Sequence, residues 1–155
     1  MSRLSFDIKN SSDFFKKLLE DYNEFKKDDT SSRVAINCAM TAWHLIDWVY
    51  FEFMEIRYPK FSDFQNELKA LCPELQIMQD ITNSSKHHTL RKSTSIETTD
   101  LHEGAFNDDF SSDFDISSLE IIKRDGTKLY FDEEIEKVIH FWENYLKEQF
   151  KINIQ

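Results

Sequence analysis

The chain is 155 residues long with fourteen Phe, three Trp and only two Gly and two Pro, a length for one domain with a sizeable core and a composition that disfavours a turn-rich β-sandwich and favours long helices. Its formal charge of −10, with only short basic runs, sets it against tight non-specific binding of nucleic acid, DNA included, because the overall field repels phosphate. The longest apolar stretch, Val34 to Ile56, is interrupted by Asn37, His44, Asp47, Glu52 and Glu55, which is too polar for a membrane span.

In chain order, the opening "MSRLSFDIKN" lacks the apolar core of a signal peptide. Ser11 or Ser12 can cap a first helix whose stripe is Phe14, Phe15, Leu18, Leu19, Tyr22 and Phe25. "DDTSS" supplies a turn and a new cap before a second helix from about Arg33 to Ile56, apolar around most of its circumference and therefore central. Ser62 and Gln65 fit a capping box opening a third helix through Phe64, Leu68 and Leu71. Pro73 stops that helix and begins a fourth, with Leu75, Met78 and Ile81 inward, which ends near "NSSKHH". Cys38 and Cys72 fall in these apolar patterns rather than at metal-ligand spacing, so two buried thiols in a reducing, cytoplasmic compartment are expected.

From about residue 89 to 117 the chain is polar and shows no sustained period, which predicts a long loop, functional or disordered. Between Glu97 and Glu120 there are eight acidic residues and no Lys or Arg. "SSLEIIKRDGTKLYFD" then reads as a β-hairpin with a two-residue turn at Asp125-Gly126. Asp132 is placed to cap a last helix with the stripe Ile135, Val138, Ile139, Trp142, Tyr145 and Leu146. The expected fold is mainly α, a single bundle of about five helices with one small hairpin before the C-terminal helix.

Two polar groupings stand out on this apolar scaffold. On the central helix Arg33, Asn37, Thr41, His44 and Glu55 fall within about 80° of one another at 100° per residue, with Asp47 at the edge. Such a seam should face water, a partner or a cleft. His44 and Asp47, at i and i+3, can meet, and the carboxylate could raise the imidazole's basicity. At the end of the fourth helix Asn83, Lys86 and His87 crowd one terminus, where a plain helix end also accounts for them. No zinc-protease helix, paired Cys-x-x-Cys, glycine-rich phosphate loop or nucleophile elbow occurs, and His87, His88, His102 and Glu103 lie on an unpatterned stretch. Neither a metal nor another cofactor is expected.

The segments "AINCAMTAWHLIDWVY" and "CPELQIMQDITNSSKHH", with a terminal Trp-bearing helix after a hairpin, resemble small bacterial helical proteins and, more distantly, the HEPN superfamily of defence and toxin systems, over residues 31 to 88. That resemblance implies a helical bundle, dimerisation, and metal-independent attack by a ribose 2′-hydroxyl, with His in acid/base work and Arg steadying phosphate. The family's Arg followed by four to six residues and His is missing: Arg3, Arg33, Arg57, Arg91 and Arg124 have no such His. Two readings follow. One is a non-catalytic subunit that binds a protein partner, a second copy included, through the seam and through Asp108, Asp109, Asp113 and Asp115. The other is an endoribonuclease acting on RNA, with His87 as acid/base, Lys86 holding phosphate, Asn83 orienting, and His44 with Asp47 lining the cleft.

Overall fold

The computed structural model describes residues 4–87, 95–104 and 117–152. Five α-helices make up most of it: α1 (Ser11–Lys27), α2 (Ser32–Val49), α3 (Phe61–Leu71), α4 (Leu75–Lys86) and α5 (Phe131–Phe150). The strands are β1 (Ile96–His102), β2 (Ser118–Lys123) and β3 (Lys128–Tyr130). The mainly α architecture is as the apolar spacing predicts.

α2 is the central helix, burying Val34, Ala35, Cys38, Ala39, Ala42, Trp43, Leu45, Ile46 and Val49. It continues into a π-helical turn, Tyr50–Met54. α1 runs antiparallel to it: Phe14 stacks on Trp48 at 5.1 Å, while Glu24 reaches Arg33 near the other end. α5 runs parallel to α2, since Trp142 Nε1 donates to the Ala42 carbonyl at 2.9 Å and Phe53 stacks on Phe150 at 4.2 Å. α4 places its last turns beside the first turns of α2. Every residue of the expected α5 stripe is buried, and each such large side chain contributes about 1.5 to 3 kcal/mol of hydrophobic stabilisation.

Several helix starts differ from expectation. Asn10, not Ser11 or Ser12, caps α1: its backbone is extended and its side chain accepts from the Asp13 N–H at 2.8 Å. Ser11 lies inside the helix, where its N–H donates to the Glu52 carboxylate at 2.6 Å. α3 begins at Phe61, so Ser62 falls in the first turn and its capping box with Gln65 does not form; the Phe61 ring packs 4.9 Å from Tyr50 and fixes the entry instead. α5 likewise begins at Phe131, buried edge-on against Phe25 at 5.1 Å, which moves Asp132 from cap to first turn. Ser31 caps α2 as the sequence suggests, accepting from the Val34 N–H at 3.3 Å.

The expected hairpin is part of a three-stranded antiparallel sheet in the order β1-β2-β3. Seven residues of the stretch read as a loop, Ile96–His102, form β1. They pair with β2 through Thr99↔Ile121, Asp100↔Glu120 and Leu101↔Leu119, with an irregularity between Ile96 and Thr98. The turn is also one residue longer than expected. Lys123 N–H donates to the Thr127 carbonyl and Gly126 N–H to the Lys123 carbonyl, so Arg124, Asp125 and Gly126 form a three-residue loop with Gly126 at φ 89.

Asp80 fastens the sheet to the bundle. Its buried carboxylate accepts from the Ser95 N–H and hydroxyl, both at 2.9 Å, and from the Gln76 amide at 3.1 Å. The start of β1 is thereby held against α4.

Candidate functional site

The polar seam of α2 faces solvent. Arg33, Asn37, His44 and Asp47 are exposed and Thr41 is buried; Glu55 is exposed too but lies beyond α2, after the π-helical turn Tyr50–Met54, so the helical spacing that placed it on the seam does not hold there. Arg33 makes a 3.5 Å pair with Glu24, exposed on both sides, an arrangement worth little in water. Thr41 is satisfied by α1: its hydroxyl donates to Asp21 at 2.6 Å and accepts from Lys17 at 2.7 Å, while Lys17 and Asp21 pair at 2.8 Å. The three groups use one another's bonding capacity and fasten α1 to α2. Sequence reasoning missed Lys17 and Asp21; their i, i+4 spacing was the available signal.

Around His44 and Asp47 desolvation works against the charged forms. Crowding by neighbouring side chains pushes the His44 imidazole below its ordinary range even though the residue is exposed; Asp47 pulls it up and Lys17 pushes it further down. Desolvation raises the Asp47 carboxyl, with His44 opposing. Asp47 thus acts in the expected direction, but desolvation outweighs it. The local environment favours the neutral forms of both groups. Burial pushes the thiol of Cys38, six residues before His44, up to about 12, reinforced by Asp21 and opposed by Lys17.

Asn83, Lys86 and His87 are all exposed at the end of α4. The His87 N–H closes the helix on the Asn83 carbonyl at 3.0 Å, and His87 itself is extended, so Asn83 remains helical rather than forming a left-handed cap. This cluster and the His44 pair occupy different places. The last turns of α4 meet Ser32, Ala35 and Ile36 of α2, whereas His44 lies eight residues beyond Ile36, about 12 Å along the axis at 1.5 Å per residue. His44 and Asp47 therefore lie apart from the Asn83, Lys86 and His87 cluster. Asp108, Asp109, Asp113, Asp115 and His88 lie outside the described residues, and among the described residues no group of three potential ligands could hold a metal.

What the fold builds instead is a groove of about 250 Å³ where the sheet meets the bundle. α2 lends Ala35 and Ile36, and α4 lends Ile81 and Ser84. Ile121 and Phe131 are buried and form the floor. β1 contributes Leu101, which is 40% exposed although its strand neighbours the 1%-exposed Ile121. By the pairing register, Thr99, Leu101, Leu119 and Ile121 share the inner face of the sheet and Asp100 and Glu120 the outer. The register turns the Asp100 and Glu120 side chains to the other face, yet both residues still border the groove, which therefore carries two carboxylate residues on its rim.

Comparison with protein-family models, curated proteins and solved structures returns no match to this chain. Among the described residues no helix is long and apolar enough to cross a membrane.

Proposed function

We propose that the chain is a non-catalytic helical module that binds a protein partner, and, within its HEPN-like resemblance, the partner-binding subunit of a bacterial defence or toxin–antitoxin pair. The observation that carries this reading is the apolar groove beside β1, a strand at the edge of the sheet. Concave apolar surfaces next to an exposed strand are a recurrent way of holding a polypeptide. The scattered positions of His44, Asp47, Asn83, Lys86 and His87 give acid/base chemistry no common centre.

The test is affinity purification from the cells that carry the gene, with wild type and Leu101→Arg as baits. Leu101 is 40% exposed, so the substitution should cost the fold little, and a folded variant is verified by its melting curve before the comparison. A protein enriched on wild type and lost on the variant supports the module; identical profiles refute it.

One observation favours the ribonuclease reading: Asn83, Lys86 and His87 are all open to solvent on one helix end. Incubation with total RNA in EDTA decides it. Cyclic-phosphate ends made by wild type and not by His87→Ala would establish metal-independent cleavage, and their absence would dismiss it.

A further inference from the structure

We infer that the outer edge of β1 accepts an extended peptide as a fourth strand, with a Lys or Arg facing Asp100 and apolar residues on either side of it entering the groove. This rests on the protein-binding reading and specifies the partner's chemistry. Three features of the molecule define the occupant.

The first is the edge itself. Among the described residues the order β1-β2-β3 leaves β1 terminal in the sheet, and a terminal strand presents backbone donors and acceptors on its outer side. Thr98, Thr99, Asp100 and Leu101 are all exposed. The second is the groove beneath that edge. Thr99 and Leu101 face inward over it, and residues paired outside them in an added strand would point the same way, toward Ile36 and Ile81.

The third is charge. Asp100 lies directly opposite Glu120 in the register, a like-charged cross-strand pair that costs stability. Lys128 compensates Glu120 at 3.5 Å, and no cation is placed on Asp100 among the described residues. Residues 95–104 carry Glu97, Asp100 and Glu103 and no Lys or Arg. A basic side chain opposite Asp100 from the outer side would put a cation where the strand lacks one. A second copy of the chain fits poorly here, because pairing β1 with β1 would bring these carboxylates together.

The experiment titrates the full chain, ¹⁵N-labelled and at low ionic strength, with an end-capped Thr-Val-Lys-Val-Thr peptide. Saturable shifts at Thr98–Leu101, Ile36 and Ile81 are expected, with slowed amide exchange along β1. The peptide with proline in place of both valines fails to bind, since it cannot complete a ladder. Asp100→Lys weakens the lysine peptide by about fivefold and reverses the preference in favour of the glutamate counterpart, Thr-Val-Glu-Val-Thr. No saturable shift up to millimolar peptide overturns the inference, as does binding indifferent to the charge reversal. If Leu101→Arg abolishes capture of a cellular partner while the peptides leave β1 unprotected, strand addition fails and the protein-binding reading stands. If neither responds, both fall.

Discussion

Asp80→Ala tests whether one buried carboxylate holds the sheet against the bundle. Asp80 is 4% exposed and accepts from the Ser95 N–H, the Ser95 hydroxyl and the Gln76 amide. A hydrogen bond to a charged acceptor contributes about 1.5 to 3 kcal/mol net. Ser95 and Gln76 are only partly buried, so water recovers their donors once the carboxylate is gone, and removing a buried charge returns some of its desolvation cost. We therefore expect a loss of about 3 kcal/mol for Asp80→Ala, and about half that for Asp80→Asn, which keeps one acceptor oxygen. For a chain of this size that is a fall in melting temperature of about 6 to 12 °C for the alanine variant. Because Ser95 immediately precedes β1, hydrogen exchange should accelerate first along Ile96–His102, with the α2 amides protected as before. An alanine variant melting with wild type, or one whose β1 amides keep their protection, would refute this account of the clamp.

Three further perturbations separate packing from titration. Trp142→Phe removes the bond to the Ala42 carbonyl and part of a fully buried ring, and should cost about 2 kcal/mol in urea unfolding; a cost below about 0.5 kcal/mol would mean that the indole bond contributes nothing. Burial pushes the Cys38 and Cys72 thiols up to about 12, so iodoacetamide at pH 8 should label neither until denaturant is added, and rapid stoichiometric labelling of the native chain would contradict their packing. His44 is held below its ordinary 6.5, so the unfolded chain binds that proton more readily and stability falls as pH drops below about 6.5 through the lower folded value. His44→Gln should reduce that fall between pH 6.5 and 5, measured by urea midpoints; superimposable pH profiles would show that the imidazole titrates as it does in the unfolded chain. Asp47, raised above 3.8, acts with the opposite sign, its folded-state penalty growing as pH rises from about 3.8.

The helices were legible where apolar spacing was unbroken, as in α1, α2 and α5. Their starts were less so, because Phe61 and Phe131 enter the core at the first helical position and packing decides the boundary over capping preference. β1 was hidden for a different reason. Of its seven residues only Ile96 is buried, so the strand lacks the apolar alternation that betrays a half-buried partner, and its pairing depends on Leu119 and Ile121 across the sheet. The polar seam, expected to face water, a partner or a cleft, is exposed at Arg33, Asn37, His44 and Asp47 and buried at Thr41, which α1 covers. The direction in which α4 passes α2 leaves no mark on the residue pattern, and that direction separates His44 from His87. The groove was invisible for the same reason, since its lining comes from five separate elements and Leu101 fell in a stretch that read as a loop.

Asp100 offers a way to tell a strand shaped only by folding from one kept for a partner. Its carboxylate stands opposite Glu120, whose own countercharge is Lys128. Such a like-charged pair costs about 0.2 to 1 kcal/mol relative to a neutral one, and Thr is a better strand former than Asp at an exposed position. If the strand served stability alone, Asp100→Thr would be an improvement without consequence. It should stabilise the chain by about 0.5 to 1 kcal/mol in urea. On the strand-addition reading the same substitution lowers affinity for the lysine peptide and removes most of its salt dependence, since the screened interaction is the one deleted. Stabilisation with lost, salt-insensitive binding identifies a carboxylate retained at a cost to the fold. Stabilisation with unchanged binding assigns the peptide's affinity to the apolar groove and takes Asp100 out of recognition. A destabilised variant would contradict the like-charge argument itself, and with it the reason for expecting a basic partner at this edge.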